Sequence, residues 1–576
     1  MFKNLIPRIR EYKLYAILTP ILMVGEVAME VLIPFLMALI VDKGIGEGNL
    51  PYVFQKSLLL VLASLLSMAF GVLSAKLAAI ASAGFAKNIR HDMYDKVLSF
   101  SFSNIDHFSP SSLITRMTTD VQNVQQAFQM TIRMCFRAPI MMVFAIIMVA
   151  KNGGSLIYVY ICAVPVLALT IGFLVKRAYP IFGKVFENYD VLNRNTQENL
   201  TNIRTVKAYV REAEEERKFN LSSQTIRDFY VKAQKLMVLS SPAMMLISYI
   251  CLLAISYLGA GYIAGGTMMT GQLMSVFSYN MQILSSLMMI AMIIVMFAIS
   301  KASVRRIIEI LNTNPDMDVN KDGIKDVKSG DIDFDNVSFS YGGKDSHCLE
   351  NINLHIKEGE TIGILGSTGS GKSTLVSLIA RLYDIDSGSL KLGGLEVKDY
   401  NLTSLRDKVS IVLQKNQLFS GTVKTNLMWG NEKATTEEML QALKDSNSSF
   451  ILERPEGLNS VVEQGGNNFS GGQKQRLCIA RALLKKPKVL IFDDSTSAVD
   501  TATDIEIRKA LKNNVGNCTK LIIAQRVSSV YDADQIVIMA HGEIEQIGKH
   551  EELLKTNEMY KTLWETQMNN KREAEV

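Results

Sequence analysis

The sequence is poor in the features that mark several protein classes. Its 576 residues hold only six cysteines, Cys135, Cys162, Cys251, Cys348, Cys478 and Cys518. None forms a C-x-x-C pair and none has metal-ligand spacing with a histidine, so they read as free thiols in a reducing compartment. No secretory signal is visible: residues 1–13 are basic and amphipathic and lead into an apolar helix without a small-residue cleavage site. The formal net charge is only +5, so bulk charge indicates no nucleic-acid partner. There is no internal repeat, and the one biased stretch is the polar tail, 569–576.

What is present divides the chain in two. Hydrophobic residues make up 48% and charged residues 20%, the average expected of a strongly apolar half joined to an ordinary soluble half. The first half holds six apolar stretches, 14–41, 53–73, 131–150, 156–175, 237–264 and 273–300. Each is near or above the roughly 20 residues that cross about 30 Å of hydrocarbon as a helix. The short connections after the first, third and fifth carry Lys43, Lys151 and no basic residue. The other side holds Arg8, Arg10, Lys13, Lys87, Arg90, Arg116, Arg177, Arg204, Arg305 and Arg306 among others. Lysine and arginine accumulate on the cytoplasmic side, so both termini are expected there, in a multi-pass protein of the cytoplasmic membrane. The expected layout is an interfacial elbow helix at 1–13, a membrane domain at 14–311, a linker at 312–329 and a nucleotide-binding domain with its tail at 330–576. Within it, 301–311 reads as an amphipathic helix of its own. The connections 75–130 and 176–236 have few Gly and Pro and helical spacing, so the membrane helices are expected to continue into the cytoplasm and turn back.

From 330 onward, β-rich runs alternate with helices, at 332–334, 361–365, 409–412, 489–492, 520–524 and 535–539, an α/β pattern. Gly366, Ser367, Thr368, Gly369, Ser370, Gly371, Lys372, Ser373 and Thr374 lie between such a strand and a helix, the context of a phosphate-binding loop. The glycines let successive N–H groups point at phosphates, Lys372 would reach the β and γ phosphates, and the Ser373 hydroxyl would bind Mg²⁺. The apolar run 489–492 ends in Asp493, where a Mg²⁺-organising carboxylate belongs. Between the two lies Phe469, Ser470, Gly471, Gly472 and Gln473, a second N–H-rich turn at a probable helix start in the same domain.

In this order the three motifs resemble those of an ATP-binding cassette. Over essentially its full length the chain resembles a half-transporter of the ABC exporter family: six membrane helices with long cytoplasmic extensions, fused to an α/β P-loop ATPase. That resemblance implies ATP and Mg²⁺ as cofactors. It also implies head-to-tail pairing of two cassettes, with ATP between one phosphate loop and the other chain's signature turn. It assigns Tyr341 to stacking on adenine, Gln414 to the Q-loop contact with Mg²⁺, and Asp500 to the D-loop. It places 463–466 at the X-loop, although Glu-Gln-Gly-Gly departs from the family's order. The segments 108–121 and 210–219 resemble its coupling regions.

Two positions depart from the pattern. Asp494 stands where the family carries a Glu as general base, and Gln525 stands where it carries a switch His. Asp494 is one methylene shorter, and Gln525 can hydrogen-bond but carries no charge. Both fall in the ATP site built on this chain's own phosphate loop. The expectation is a heterodimer in which a different chain carries the consensus Glu and His. The alternatives are a homodimeric lipid or drug exporter, and an ATP-gated channel or regulator on the same scaffold. The absence of a protease domain before Leu14 argues against a signal-processing peptide exporter.

The membrane half offers weaker candidates. Glu26 and Glu30 share a face of the first helix, as cation-substrate contacts or as interhelical hydrogen-bond partners. Met288 and Met292, in a Met-rich sixth span, suit adaptable substrate contacts or simple packing. Arg133 and Arg137 read as snorkelling anchors, and Asp42 as part of an external gate. The resemblance implies a small-molecule substrate, an amphipathic or cationic drug of the multidrug type, and the lipid bilayer as a further partner.

Overall fold

A computed structural model describes residues 4–317, 322–342, 347–494 and 501–574. The chain forms two compact units. One holds the residues up to Leu98 together with Pro110–Thr313, and the other holds Ser99–Ser109 and the chain from Asn314 onward.

The first unit is helical throughout. Its apolar stretches lie on Lys13–Leu39, Leu50–Leu98, Val121–Gly153, Ile157–Thr201, Ser240–Ala264 and Thr270–Asn312. Among the described residues, five continuous helical runs are long and apolar enough to cross a membrane. The run Pro110–Thr201 carries two of the six stretches, parted where Gly154 takes φ +51° between Val121–Gly153 and Ile157–Thr201. Leu50–Leu98 is 49 residues long, about 74 Å at 1.5 Å per residue, which far exceeds a bilayer's hydrocarbon. Residues 301–311 are not a separate helix. They continue the last membrane helix to Asn312, because no helix-breaking residue intervenes after Ser300.

With no water inside a bilayer, buried polar groups must find partners on neighbouring helices. Tyr279 donates its hydroxyl to the Val31 carbonyl at 2.9 Å, Tyr160 to the Val276 carbonyl at 3.2 Å, and Asn152 donates to Ser275 at 3.1 Å. Beyond the spans, the fully buried Asp120 accepts from Ser303 at 2.8 Å and from Arg306 Nε at 2.6 Å, fastening the third and sixth helices together. The short 3₁₀ helix Ile6–Tyr12 is tied to the second helix, since Arg8 and Arg10 both pair with Asp92.

Asp42 is not free to form a gate. Its two carboxylate oxygens accept from the N–H groups of Gly271 at 2.6 Å and Gln272 at 3.0 Å. These are among the N–H groups that the first turn of Thr270–Asn312 cannot satisfy internally. Glycine is needed at 271, because a Cβ there would sit 2.8 Å from the Asp42 carboxyl carbon.

The second unit has a four-stranded antiparallel sheet and a six-stranded sheet. The larger sheet runs Glu543–Gly548, Gln535–Ala540, Thr361–Gly366, Thr519–Ile523, Val489–Asp493, Val409–Val412. All its pairings are parallel except that of the edge strand Glu543–Gly548. Its inner strands are nearly continuous Val, Ile and Leu because both faces are covered, and all five residues of Val489–Asp493 are buried. The antiparallel sheet pairs Ile332–Ser340 with His347–Ile356 and with Ser387–Leu392.

Replacing Asp42 by Ala is expected to cost about 1–2 kcal/mol of stability, the usual cost of a lost helix cap that also carried charge. Asp42→Asn keeps an acceptor oxygen and should lose less. Thermal unfolding of the purified protein in detergent checks both.

Candidate functional site: an ATP site on one sheet edge

Parallel, in-register pairing brings the C-terminal ends of four strands to one edge, where open α/β sheets bind their ligands. Thr361–Gly366 runs into the phosphate loop and Val489–Asp493 ends at Asp493 and Asp494. Thr519–Ile523 stops two residues before Gln525, and Val409–Val412 two before Gln414. The sequence scatters these residues, and the sheet gathers them.

The loop from Gly366 to Gly371 opens the helix Lys372–Ile379. Gly371 adopts φ +95°, and a Cβ there would lie 2.7 Å from Leu349 and 3.0 Å from the Cys348 carbonyl, so only glycine fits. Lys372 Nζ donates to the carbonyls of Gly366 at 2.9 Å and Ser367 at 2.6 Å, which holds the ammonium against the loop. Burial lowers its pKa, opposed by the charges of Asp494 and Asp493. Asp493 is pushed the other way, raised by burial and by Asp494, with the Ser373 hydrogen bond and Lys372 opposing.

Ser373 Oγ donates to Asp493 Oδ1 at 2.7 Å. A hydroxyl and a carboxylate oxygen side by side are the hard donors that Mg²⁺ takes. No cluster of three His, Cys, Asp or Glu exists among the described residues. At a Mg²⁺ held by this pair, phosphates and waters would supply the remaining ligands. Ser373 and Asp493 would hold the ion, and it would supply charge neutralisation on the phosphates.

Asp494 is 9% exposed and sits at φ +46°, a left-handed conformation that a non-glycine residue adopts at a cost. Its own N–H donates to the Ile523 carbonyl at 3.1 Å. Its Oδ2 accepts from Gln525 Nε2 at 2.7 Å and from Gln414 Nε2 at 3.4 Å. The structure thus brings Asp494, Gln525 and Gln414 together. Asp500 lies outside the described residues.

Tyr341 is half-buried, and its hydroxyl donates to Thr374 Oγ1 at 3.2 Å, which places the ring beside the phosphate loop. Burial raises its pKa. The ring stands edge-on to Tyr383 at 5.1 Å and to Phe339 at 4.9 Å. Sequence reasoning missed Tyr383. The segment that belongs to the nucleotide-binding unit is Ser99–Ser109, because Pro110 begins the helices leading back to Val121–Gly153. Within it Ser101 caps the helix Phe102–Phe108, and both Ser101 and Ser103 donate to Asp316. Tyr383 donates its hydroxyl to Asp106 at 2.7 Å.

The turn at Ser470 is built locally. Ser470 Oγ accepts from Gln473 N–H at 3.3 Å while Gln473 accepts from the Ser470 N–H at 3.0 Å, a capping box at the start of Gly471–Leu483. Phe469 is buried under Arg454, whose guanidinium lies 4.5 Å from the ring centre. Glu463 precedes a short turn in which Gly465 and Gly466 take φ +67° and +66°.

In the membrane unit, Arg137 pairs with both Glu26 and Glu30, through Nη2 to Glu30 Oε2 at 2.7 Å. It is an interhelical partner and not a snorkelling anchor. Met288 and Met292 are exposed on the last helix. The rule that lone charges in apolar spans seek each other would have found the Arg137 pairs.

Residues 16–301 match the family model of the ABC transporter transmembrane region, and 349–497 match that of the ABC transporter. The chain is 37% identical to the uncharacterised ABC transporter ATP-binding protein YfiB of Bacillus subtilis, over 97% of each. It is 28% identical to an ATP-dependent lipid A-core flippase of Pasteurella multocida, over 99% of this chain and 98% of that one. In fold it is similar to a bacterial Atm1-family ABC exporter with ATP bound, at TM-score 0.83 and 24% identity, covering 97% and 99% of the two chains. With the phosphate loop, the carboxylate strand and the capped turn in place on one ATPase unit, the chain belongs to the ABC transporter family, as an ATP-hydrolysing exporter that carries membrane region and ATPase on one polypeptide.

Proposed function

We propose that this chain is one half of a heterodimeric exporter and that the ATP site on its own phosphate loop turns over slowly. The observation that carries this is the state of Asp494. Its carboxylate is one methylene short of the family's base, and two neutral amides, Gln525 and Gln414, donate to the same oxygen. A displacement of about 1 Å at a reacting group costs on the order of a hundredfold in rate. A Gln at 525 adds no positive charge toward the γ-phosphate as phosphoryl transfer proceeds.

The capped turn at Ser470 keeps its glycines and its N–H groups. In the proposed assembly it completes the site of an unlike partner chain that carries the family's Glu and His. ATP then closes the two cassettes, the cytoplasmic helical extensions carry the motion to the membrane, and hydrolysis at the partner's site resets the cycle. The asymmetry of Lys and Arg supports a cytoplasmic-membrane protein with both termini in the cytoplasm. The apolar spans and the flippase among the relatives support a small amphipathic or lipid-like substrate.

Three measurements test the reading. ATPase activity of the chain expressed alone should be lower by about a hundredfold than that of the chain assembled with its unlike half; brisk turnover alone defeats the heterodimer. In an assembled transporter whose other site is inactivated at its base, Asp494→Glu should restore activity only in part. Asp494→Glu combined with Gln525→His should restore it further, by phosphate release. In sealed vesicles ATP should drive substrate accumulation against a gradient, and a passive ion current in its place would mark a channel.

A further inference from the structure

A second built site lies in the membrane unit, among the first three spans. Glu26 and Glu30 sit one turn apart on Lys13–Leu39, and Arg137 on Val121–Gly153 pairs with both. Two carboxylates against one guanidinium leave this triad with an excess negative charge. Glu26 is only 8% exposed, and its Oε2 is buried without a hydrogen-bond partner among the described residues. Gly71 on the second helix allows this approach, since a Cβ there would meet the Glu26 carboxyl at 3.2 Å. An unmatched carboxylate oxygen in an apolar surrounding is a standing demand for an N–H or O–H donor.

Arg133 lies one turn from Arg137 on the same face of its helix. It has no ion-pair partner among the described residues, yet it lines a cavity of about 460 Å³ together with Glu26, Glu30, Ser67, Gly71 and Arg137. The cavity is wide open to the surface, and Met68 and Val72, which are 63% and 62% exposed, also line it. Along Val121–Gly153, Arg137 stands about 24 Å from the end at Gly153, at about 1.5 Å per residue. Arg133 is a further turn along, near the opposite boundary of an about 30 Å hydrocarbon layer. The cavity therefore combines an unbalanced negative centre, a positive residue one helical turn from Arg137 and an apolar lining at headgroup depth.

We propose that this cavity binds an amphiphile whose headgroup carries a primary ammonium beside a phosphate, as in phosphatidylethanolamine. The ammonium donates to the partly exposed carboxylate of Glu30, the phosphate accepts from Arg133, and the acyl chains leave past Met68 and Val72. A choline headgroup has the charge but no N–H to give to the Glu30 carboxylate. A glycerol headgroup offers the phosphate but no cation for the triad. A simple alkylamine leaves Arg133 without an anion. The assignment does not rest on the heterodimer or on the direction of transport.

Native mass spectrometry of the full-length protein in detergent, titrated with lipids of identical acyl chains, tests it. Phosphatidylethanolamine should bind about tenfold tighter than phosphatidylcholine or phosphatidylglycerol, a difference of about 1.4 kcal/mol. Arg133→Gln should reduce it to the level of phosphatidylcholine while leaving thermal unfolding unchanged, because Arg133 holds no ion pair among the described residues. Arg133→Lys should retain the preference. Glu30→Gln, which leaves the Glu26–Arg137 pair in place, should abolish it. Equal binding of the three lipids, a preference for phosphatidylglycerol, or a phosphatidylethanolamine preference that survives Arg133→Gln would each overturn the proposal.

Discussion

Strand register governs the chemistry of the nucleotide-binding unit. Thr361–Gly366 pairs in parallel with Thr519–Ile523, which pairs in parallel with Val489–Asp493, and that strand pairs with Val409–Val412. Ile364 stands opposite Ile523, and Ile523 opposite Asp493, so the glycine-rich loop, the carboxylates and the segment leading to Gln525 leave the sheet at one level. A slip of one residue would turn every side chain of a strand to the other face. Burial on both faces prevents that slip, and the apolar strands are in this sense the positioning device for Asp493, Asp494 and Gln525.

The membrane unit solves a different problem by related means. Its buried polar groups are matched across helices: Tyr279 to Val31, Asn152 to Ser275, Asp42 to the start of the last helix, Asp120 to Ser303 and Arg306. Each match satisfies donors or acceptors that burial has removed from water, and each also fixes one helix against another. Against this background the excess charge around Glu26 stands out, because most of the neighbouring polar groups have closed their accounts locally.

The architecture and the ATP site were legible because each depends on local signals. Apolar stretches near 20 residues announce spans, and a glycine-rich loop between strand and helix announces a phosphate site. What escaped depended on contacts distant in the chain. Nothing near Tyr383 in sequence points to Asp106, and nothing near Asp42 points to Gly271. The strand Glu543–Gly548 escaped for another reason: it lies at a sheet edge, where Glu543, Glu545 and Gln546 dilute the apolar signal. The helix boundary expected after Ser300 failed because a change from lipid to water alters composition without breaking a helix.

The border between the two units is crossed by the chain three times, at Leu98, Ser109 and Thr313. Eleven residues of the first half therefore fold with the second. A fragment beginning at Asn314 would keep every phosphate-loop residue and still be incomplete. Tyr383 would lose its acceptor on Asp106, and Asp316 would lose the hydroxyls of Ser101 and Ser103. In this protein the border drawn along the sequence and the border of the compact unit do not coincide, and the nucleotide-binding unit is a discontinuous piece of chain.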